Sequence, residues 1–190
     1  MIASLIFPAV IAGVAVFFGS FLIWVVSKWH QEDFKPLPDE KGFLDAVKAH
    51  DLPRGFYMWP LDTPEAMKTE AFKERWAKGP WGTINIRGTP KYSRNLLLAL
   101  LVNITMAFGT AVVIGMVLDG VKLESGTLIT CPWCQIFTPA LIMGIGAYGL
   151  GSLCNDIFFG KQPRFMMTTI LDGVILGGIQ ALFLMWLWPA

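Results

Sequence analysis

Three long stretches of the 190-residue chain contain no Asp, Glu, Lys or Arg, and a fourth contains a single one. The first, 1–27, exceeds the roughly 20 apolar residues that carry a helix across a hydrocarbon core. No basic residue precedes it, and it ends with Trp24 and Trp29 flanking Lys28 in the manner of an interfacial anchor. These flanks predict a retained helix rather than a cleaved leader. The second stretch, 95–118, is bounded by Arg94 and Asp119. The third, 125–155, is longer than one crossing needs, and Pro132 and Pro139 interrupt its first half. The helix is therefore placed at 135–154, after an outer loop or re-entrant turn at 126–134. The fourth, 165–188, ends in Trp186 and Trp188 and contains Asp172.

The pattern predicts an all-α membrane fold. A first transmembrane helix (1–27) leads to a cap (28–93), and the remaining segment (94–190) supplies helices two to four of a four-helix bundle. The cap alternates turn signals with local structure. Asp39 and Glu40 precede Phe43, Leu44 and Val47 at helical spacing, which predicts a short helix ending near His50. A second helix is expected from Thr63 as N-cap, with Met67, Ala71, Phe72 and Trp76 on one face and Gly79-Pro80 as the stop. Strand-like runs at 56–59 and 83–87 flank it, so the cap reads as small α+β. A unit of that size hides little apolar surface by itself, and it is expected to lean on the bilayer surface or on a partner.

Composition agrees with this division. Hydrophobic residues make up 54% of the chain and charged ones 15%, against about a quarter charged in soluble domains. Mean hydropathy is +0.54. The net charge of +1 gives no reason to expect a nucleic-acid partner. It conceals a strong sidedness: of 15 Lys and Arg, 12 lie between Ser27 and Asn95, and Lys161 and Arg164 lie between spans three and four. Lys122 is the remaining one. The positive-inside rule then places the cap in the cytoplasm and both termini outside.

Lipid supplies no hydrophobic force between helices, so close approach relies on small residues. Span three carries Ala140, Gly144, Ala147 and Gly151, span four Gly173, Gly177 and Ala181, and span two Asn103, Ala107, Ala111 and Gly115. These seams fit either a tight bundle or contact with foreign helices. Asp172 is the one ionisable residue well inside a span, where a lone carboxylate costs about 2.5–3.5 kcal/mol. An anchor hydrated or paired with Arg164, Lys161 or Thr169 competes with a proton or ion relay.

The sharpest chemical motif is Cys131-Pro132-Trp133-Cys134. Vicinal thiols at a helix start can form an exchangeable disulfide. Four-helix thiol oxidases of the vitamin K epoxide reductase type place such a pair beside quinone, but relay electrons through a second pair. Here Cys154 stands alone, about 30 Å along the helix at 1.5 Å per residue. A structural disulfide or free thiols, redox chemistry and a metal site are all open, although a zinc site lacks further ligands in that compartment. His30, Glu32 and Asp33, just past span one, suit a metal or proton-exit site, or an interfacial cluster fixing the start of the cap. Neither a phosphate loop nor a nucleophile elbow occurs, and no cofactor can be named.

Trp29-His30, Gly55-Phe56-Tyr57 with Trp59-Pro60, Gly79-Pro80-Trp81-Gly82 with Arg87, and the late Asp172 resemble a family of small, uncharacterised bacterial inner-membrane proteins. The resemblance implies bacterial origin and the topology above, and it carries no activity or site. The Cys-Pro-Trp-Cys loop is not part of it. Packing seams, a half-apolar cap and the absence of a converging catalytic set point to an accessory or scaffolding subunit of a larger, energy-transducing membrane complex rather than an enzyme. Its expected partners are the lipid bilayer and other membrane subunits. The alternatives are a quinone-linked thiol oxidoreductase using Cys131 and Cys134, and a small proton-coupled transporter using Asp172.

Overall fold

A computed structural model describes residues 2–125 and 131–189, with backbone alone for 120–125. Helix accounts for 73% of it. In chain order the helices are α1 (Ile2–Phe21), α2 (Glu40–Ala49), α3 (Glu70–Lys78), α4 (Tyr92–Ser125), α5 (Thr138–Ile145), α6 (Gly151–Phe158) and α7 (Pro163–Trp186), and the strands are β1 (Gly55–Trp59) and β2 (Gly82–Ile86). They form two compact units, Met1–Lys35 with Tyr92–Ala190, and Pro36–Lys91.

The first unit holds four helical runs long and apolar enough to cross a membrane: Ile2–Val26, Tyr92–Asp119, Trp133–Phe158 and Pro163–Trp186. The third is longer than expected. It is α5 and α6 joined through a π-turn at Gly146–Leu150 and preceded by another at Trp133–Phe137, and it takes in Asp156 near its end. Asp156 is buried and closes an ion pair of 2.7 Å with Lys161. Residues 126–130 of the expected outer loop lie outside the described residues.

Helix α7 is the most buried of the four, lying between α1 on one side and the third span on another, while α4 packs along α1. Small residues set these distances. A Cβ at Gly177 would stand 2.9 Å from the Ile145 nitrogen and 3.0 Å from the Gly144 carbonyl carbon, and one at Gly173 would stand 2.6 Å from the Gly149 Cα. Ala140 and Ala181 are fully buried in the same core as Ala107, Ala111 and Ile114. Asn103 is half-buried, at the less enclosed end of the span-two seam. Span one contributes a contact that was not foreseen: Gly13 meets the backbone of Ile104 on α4.

The span-three seam differs from its expected register. Ala147 is half-buried and Gly151 exposed, and Gly149 faces Gly173 in their place. The π-turn at Gly146–Leu150 is the reason. Its hydrogen bond closes over five residues, from the Gly151 N–H to the Gly146 carbonyl, which inserts one residue into the helical repeat. A four-residue interval on α7, Gly173 to Gly177, is therefore met by a five-residue interval, Gly144 to Gly149.

The second unit is a two-stranded antiparallel sheet, β1 against β2 with Gly55 opposite Ile86 and Trp59 opposite Gly82, together with α2 and α3. Asp39 caps α2 by accepting from the Gly42 N–H at 2.9 Å, where the sequence placed the helix start. Helix α3 begins later than the expected Thr63. Thr63 instead closes a turn, its hydroxyl accepting from the Ala66 N–H at 3.3 Å, and Thr69 in extended conformation accepts from Phe72 N–H as the true N-cap. The helix ends at Gly79, whose φ of 61° lies in the left-handed region that suits glycine. Phe72 is buried, with Arg75 stacked over its ring and paired to Asp62 at 2.8 Å.

Adjacent glycines on α7 test the packing account. Gly178 has open space where a Cβ would go. Gly178→Ala should be neutral or add up to about 1 kcal/mol through helix propensity, whereas Gly177→Ala should cost about 1–3 kcal/mol through overpacking. Reversible unfolding in mixed micelles reads both, and equal effects would contradict the close approach.

Candidate functional site

The most concentrated polar chemistry lies at the end of the bundle where span one finishes and α7 begins. Past α1 the chain makes a π-turn at Leu22–Val26, closed by the Ser27 N–H on the Leu22 carbonyl at 2.8 Å, and then a tight 3-10 turn at Gln31–Asp33. The two turns fold the chain back, so that His30 and Asp33, three apart, face α7. There Arg164, Thr168 and Asp172 follow one another at intervals of four on a single face.

His30 is the hub. Its Nδ1 lies 2.6 Å from Asp33 Oδ2, and its Nε2 lies 3.1 Å from Asp172 Oδ2. The Trp24 indole stacks on the imidazole, with centroids 3.8 Å apart and planes within 1°. Asp33 receives Thr168 Oγ1 at 3.0 Å, and its Oδ1, which accepts no aligned hydrogen bond, pairs with Arg164 Nε at 3.2 Å. Arg164 further donates to the Trp29 carbonyl at 3.1 Å and reaches Glu32 at 3.2 Å. The imidazole and both Asp side chains are buried, while Arg164 and Glu32 open to the surface. Burial pushes the Asp33 carboxyl up, but the hydrogen bonds from His30 and Thr168 and the charges of His30 and Arg164 outweigh it, so the carboxyl lies below its ordinary value.

This arrangement corrects one expectation. Asp172 pairs with His30 rather than with Arg164, Lys161 or Thr169: Arg164 is taken by Asp33 and Glu32, Lys161 by Asp156, and the Thr169 hydroxyl by the Phe165 carbonyl at 2.8 Å. His30, Glu32 and Asp33 stand just before the cap unit begins at Pro36. They belong with the helices, whose unit continues to Lys35.

A second network lies deeper. Gln180, fully buried on α7, accepts from the Tyr148 hydroxyl at 2.7 Å and donates to Thr110 Oγ1 at 3.2 Å, joining spans two, three and four. The sequence reading did not single it out, although Thr168, Asp172, Leu176, Gln180 and Leu184 form one buried stripe at intervals of four. Cys131 and Cys134 are joined by a disulfide at the start of the third span, where the Cys131 carbonyl accepts the Gln135 N–H at 2.9 Å. Cys154 is a free, exposed thiol towards the other end of that span. Among the described residues no group of three His, Cys, Asp or Glu could hold a metal ion.

Two outcomes check this chemistry. A carboxyl held low in the fold stabilises it above the ordinary carboxylate value of 3.8, and the contribution disappears as pH falls through the lowered value. Below about pH 4 the wild-type bundle should lose stability that the Asp33→Asn variant lacks from the outset, as read by unfolding at stepped pH. Gln180→Ala should cost about 1 kcal/mol, within the range for interhelical hydrogen bonds in lipid, and the combination with Thr110→Ala should be less than additive.

Comparison of the chain with family models, with curated proteins and with solved structures finds no match in any of the three.

Proposed function

We propose that the chain is an accessory, scaffolding subunit of a larger bacterial inner-membrane complex. In this reading four helices anchor it, both termini face the periplasm, and the cap faces the cytoplasm, where it binds a partner subunit. The observation that carries the reading is the state of the cap. In a unit of 56 residues, 36–91, Phe72 and Pro60 are the buried apolar side chains, while Phe43, Leu44, Trp59, Leu61, Trp76 and Trp81 are all more than a third exposed. A small unit that leaves so much aromatic surface open needs a cover. Aromatic side chains of this kind are the usual anchors of protein interfaces.

The orientation is supported by the 14 basic residues assigned to one side and by the Arg164 contact to the Trp29 carbonyl, which brings the two basic connections to one end of the bundle. The glycine seams support a scaffold rather than a helix-recruiting role, because Gly144, Gly149, Gly173 and Gly177 already face one another. The Cys131–Cys134 bridge is then a staple on the first turn of the third span, and without a second cysteine pair it has no relay for quinone-linked exchange.

Extraction in mild detergent followed by native mass spectrometry tests this. The expected species is a hetero-complex, reduced at least tenfold by Trp76→Ser with Trp81→Ser while the bundle itself stays folded. A stable monomer without co-purifying protein overturns the reading.

A further inference from the structure

The joint around His30 contains an imbalance that ordinary protonation does not resolve. A neutral imidazole has one N–H and one lone pair, and an ionised carboxylate only accepts. Both ring nitrogens here face carboxylate oxygens, Nδ1 at 2.6 Å from Asp33 and Nε2 at 3.1 Å from Asp172. With a single ring proton, one lone pair would press on an anionic oxygen at hydrogen-bond distance. That would happen where the side-chain exposures are 4% for His30, 0% for Asp33 and 5% for Asp172, so water cannot intervene freely. An unpaired buried polar contact of this kind is costly.

One additional proton removes the conflict. On the ring it makes both nitrogens donors, and on the Asp172 carboxyl it makes that group the donor to the ring. It also balances charge. Asp33 and Asp172 supply two negative charges against Arg164, and the added proton supplies the second positive one. Glu32 is the other ionisable group touching the cluster among the described residues; it lies on the outer side of Arg164 with 77% of its side chain exposed, and Lys161 is committed to Asp156. The flat stacking of Trp24 on the ring at 3.8 Å offers a π-face that favours a cation.

We propose that His30, Asp33 and Asp172 form a proton-binding site, which takes one proton from the side where Glu32 and Arg164 meet the surface and shares it between the exit of span one and α7. The step is a simple association: a proton adds to a ring nitrogen or carboxylate oxygen on loading and returns to water on release, with no other bond changed. Release restores the lone-pair conflict and loosens the joint. Proton occupancy thus sets how firmly the end of span one is held to α7.

The full chain in lipid nanodiscs, labelled with ¹⁵N-histidine, tests this near neutral pH. There are two histidines, and His50, exposed in the cap, serves as internal reference once His50→Gln assigns the signals. The expected result is either a His30 ring with two N–H groups, or a singly protonated ring together with an infrared band of a protonated carboxyl that Asp172→Asn removes. Raising the pH should release one proton per chain more from the wild type than from Asp172→Asn, and amide exchange over residues 22–35 should rise together with that release. If Asp172→Asn does not insert, His30→Gln must show the same loss of one released proton. A singly protonated His30 with no protonated carboxyl in the wild type overturns the proposal, as does equal proton release in wild type and variants.

Discussion

Two helices that touch through glycine backbones hold each other by contact alone, and the rest of this bundle is arranged around that contact. Lipid tails are as apolar as leucine, so nothing is gained by hiding leucine from them. What favours one helix arrangement over another is the number of atoms brought into van der Waals range, and Gly144, Gly149, Gly173 and Gly177 permit the α7 backbone to lie against the third span. With α7 fixed in this way, its buried stripe is fixed too. Thr168, Asp172 and Gln180 point inward because the glycines beside them do.

Polar groups facing the interior of such a bundle must find partners there, because the surroundings offer none. This is why the two networks sit where they do. Gln180 is satisfied by Tyr148 and Thr110 from two other spans, and Asp172 by His30 just past the end of span one. Each ties a different pair or trio of helices. Non-directional packing sets the distances, and the directional bonds choose among the rotations that packing alone would leave nearly equal.

The spans and most cap elements were legible in the sequence because they depend on local signals: uncharged length, caps, and alternation in the strands. Asp39 and the strand runs show this well. Thr63 was misleading because two threonines competed for the same role, and the hydroxyl of Thr69, six residues on, closes the turn that Thr63 opens. The His30 cluster was half legible. Arg164, Thr168 and Asp172 stand at intervals of four and His30 and Asp33 at three, which marks two polar faces; that the faces meet depends on two turns after α1 whose hydrogen bonding leaves no compositional trace. Ala147 and Gly151 failed as seam residues for a related reason: a π-turn is an insertion in backbone geometry, and a repeat counted along the sequence assumes that none is present.

The π-turn at Gly146–Leu150 has a wider effect on the third span. A residue added to a helix of 3.6 per turn rotates everything beyond it by roughly 100° about the axis. Helices α5 and α6 therefore present to α7 faces that belong to different phases of the same sequence, and the rotation is what carries Asp156 to a buried position beside Lys161. The span behaves as two short helices sharing one axis. A substitution in α6 is to be judged by its distance from Gly149, and counting from Gly144 across the joint assigns the wrong neighbours to every residue that follows.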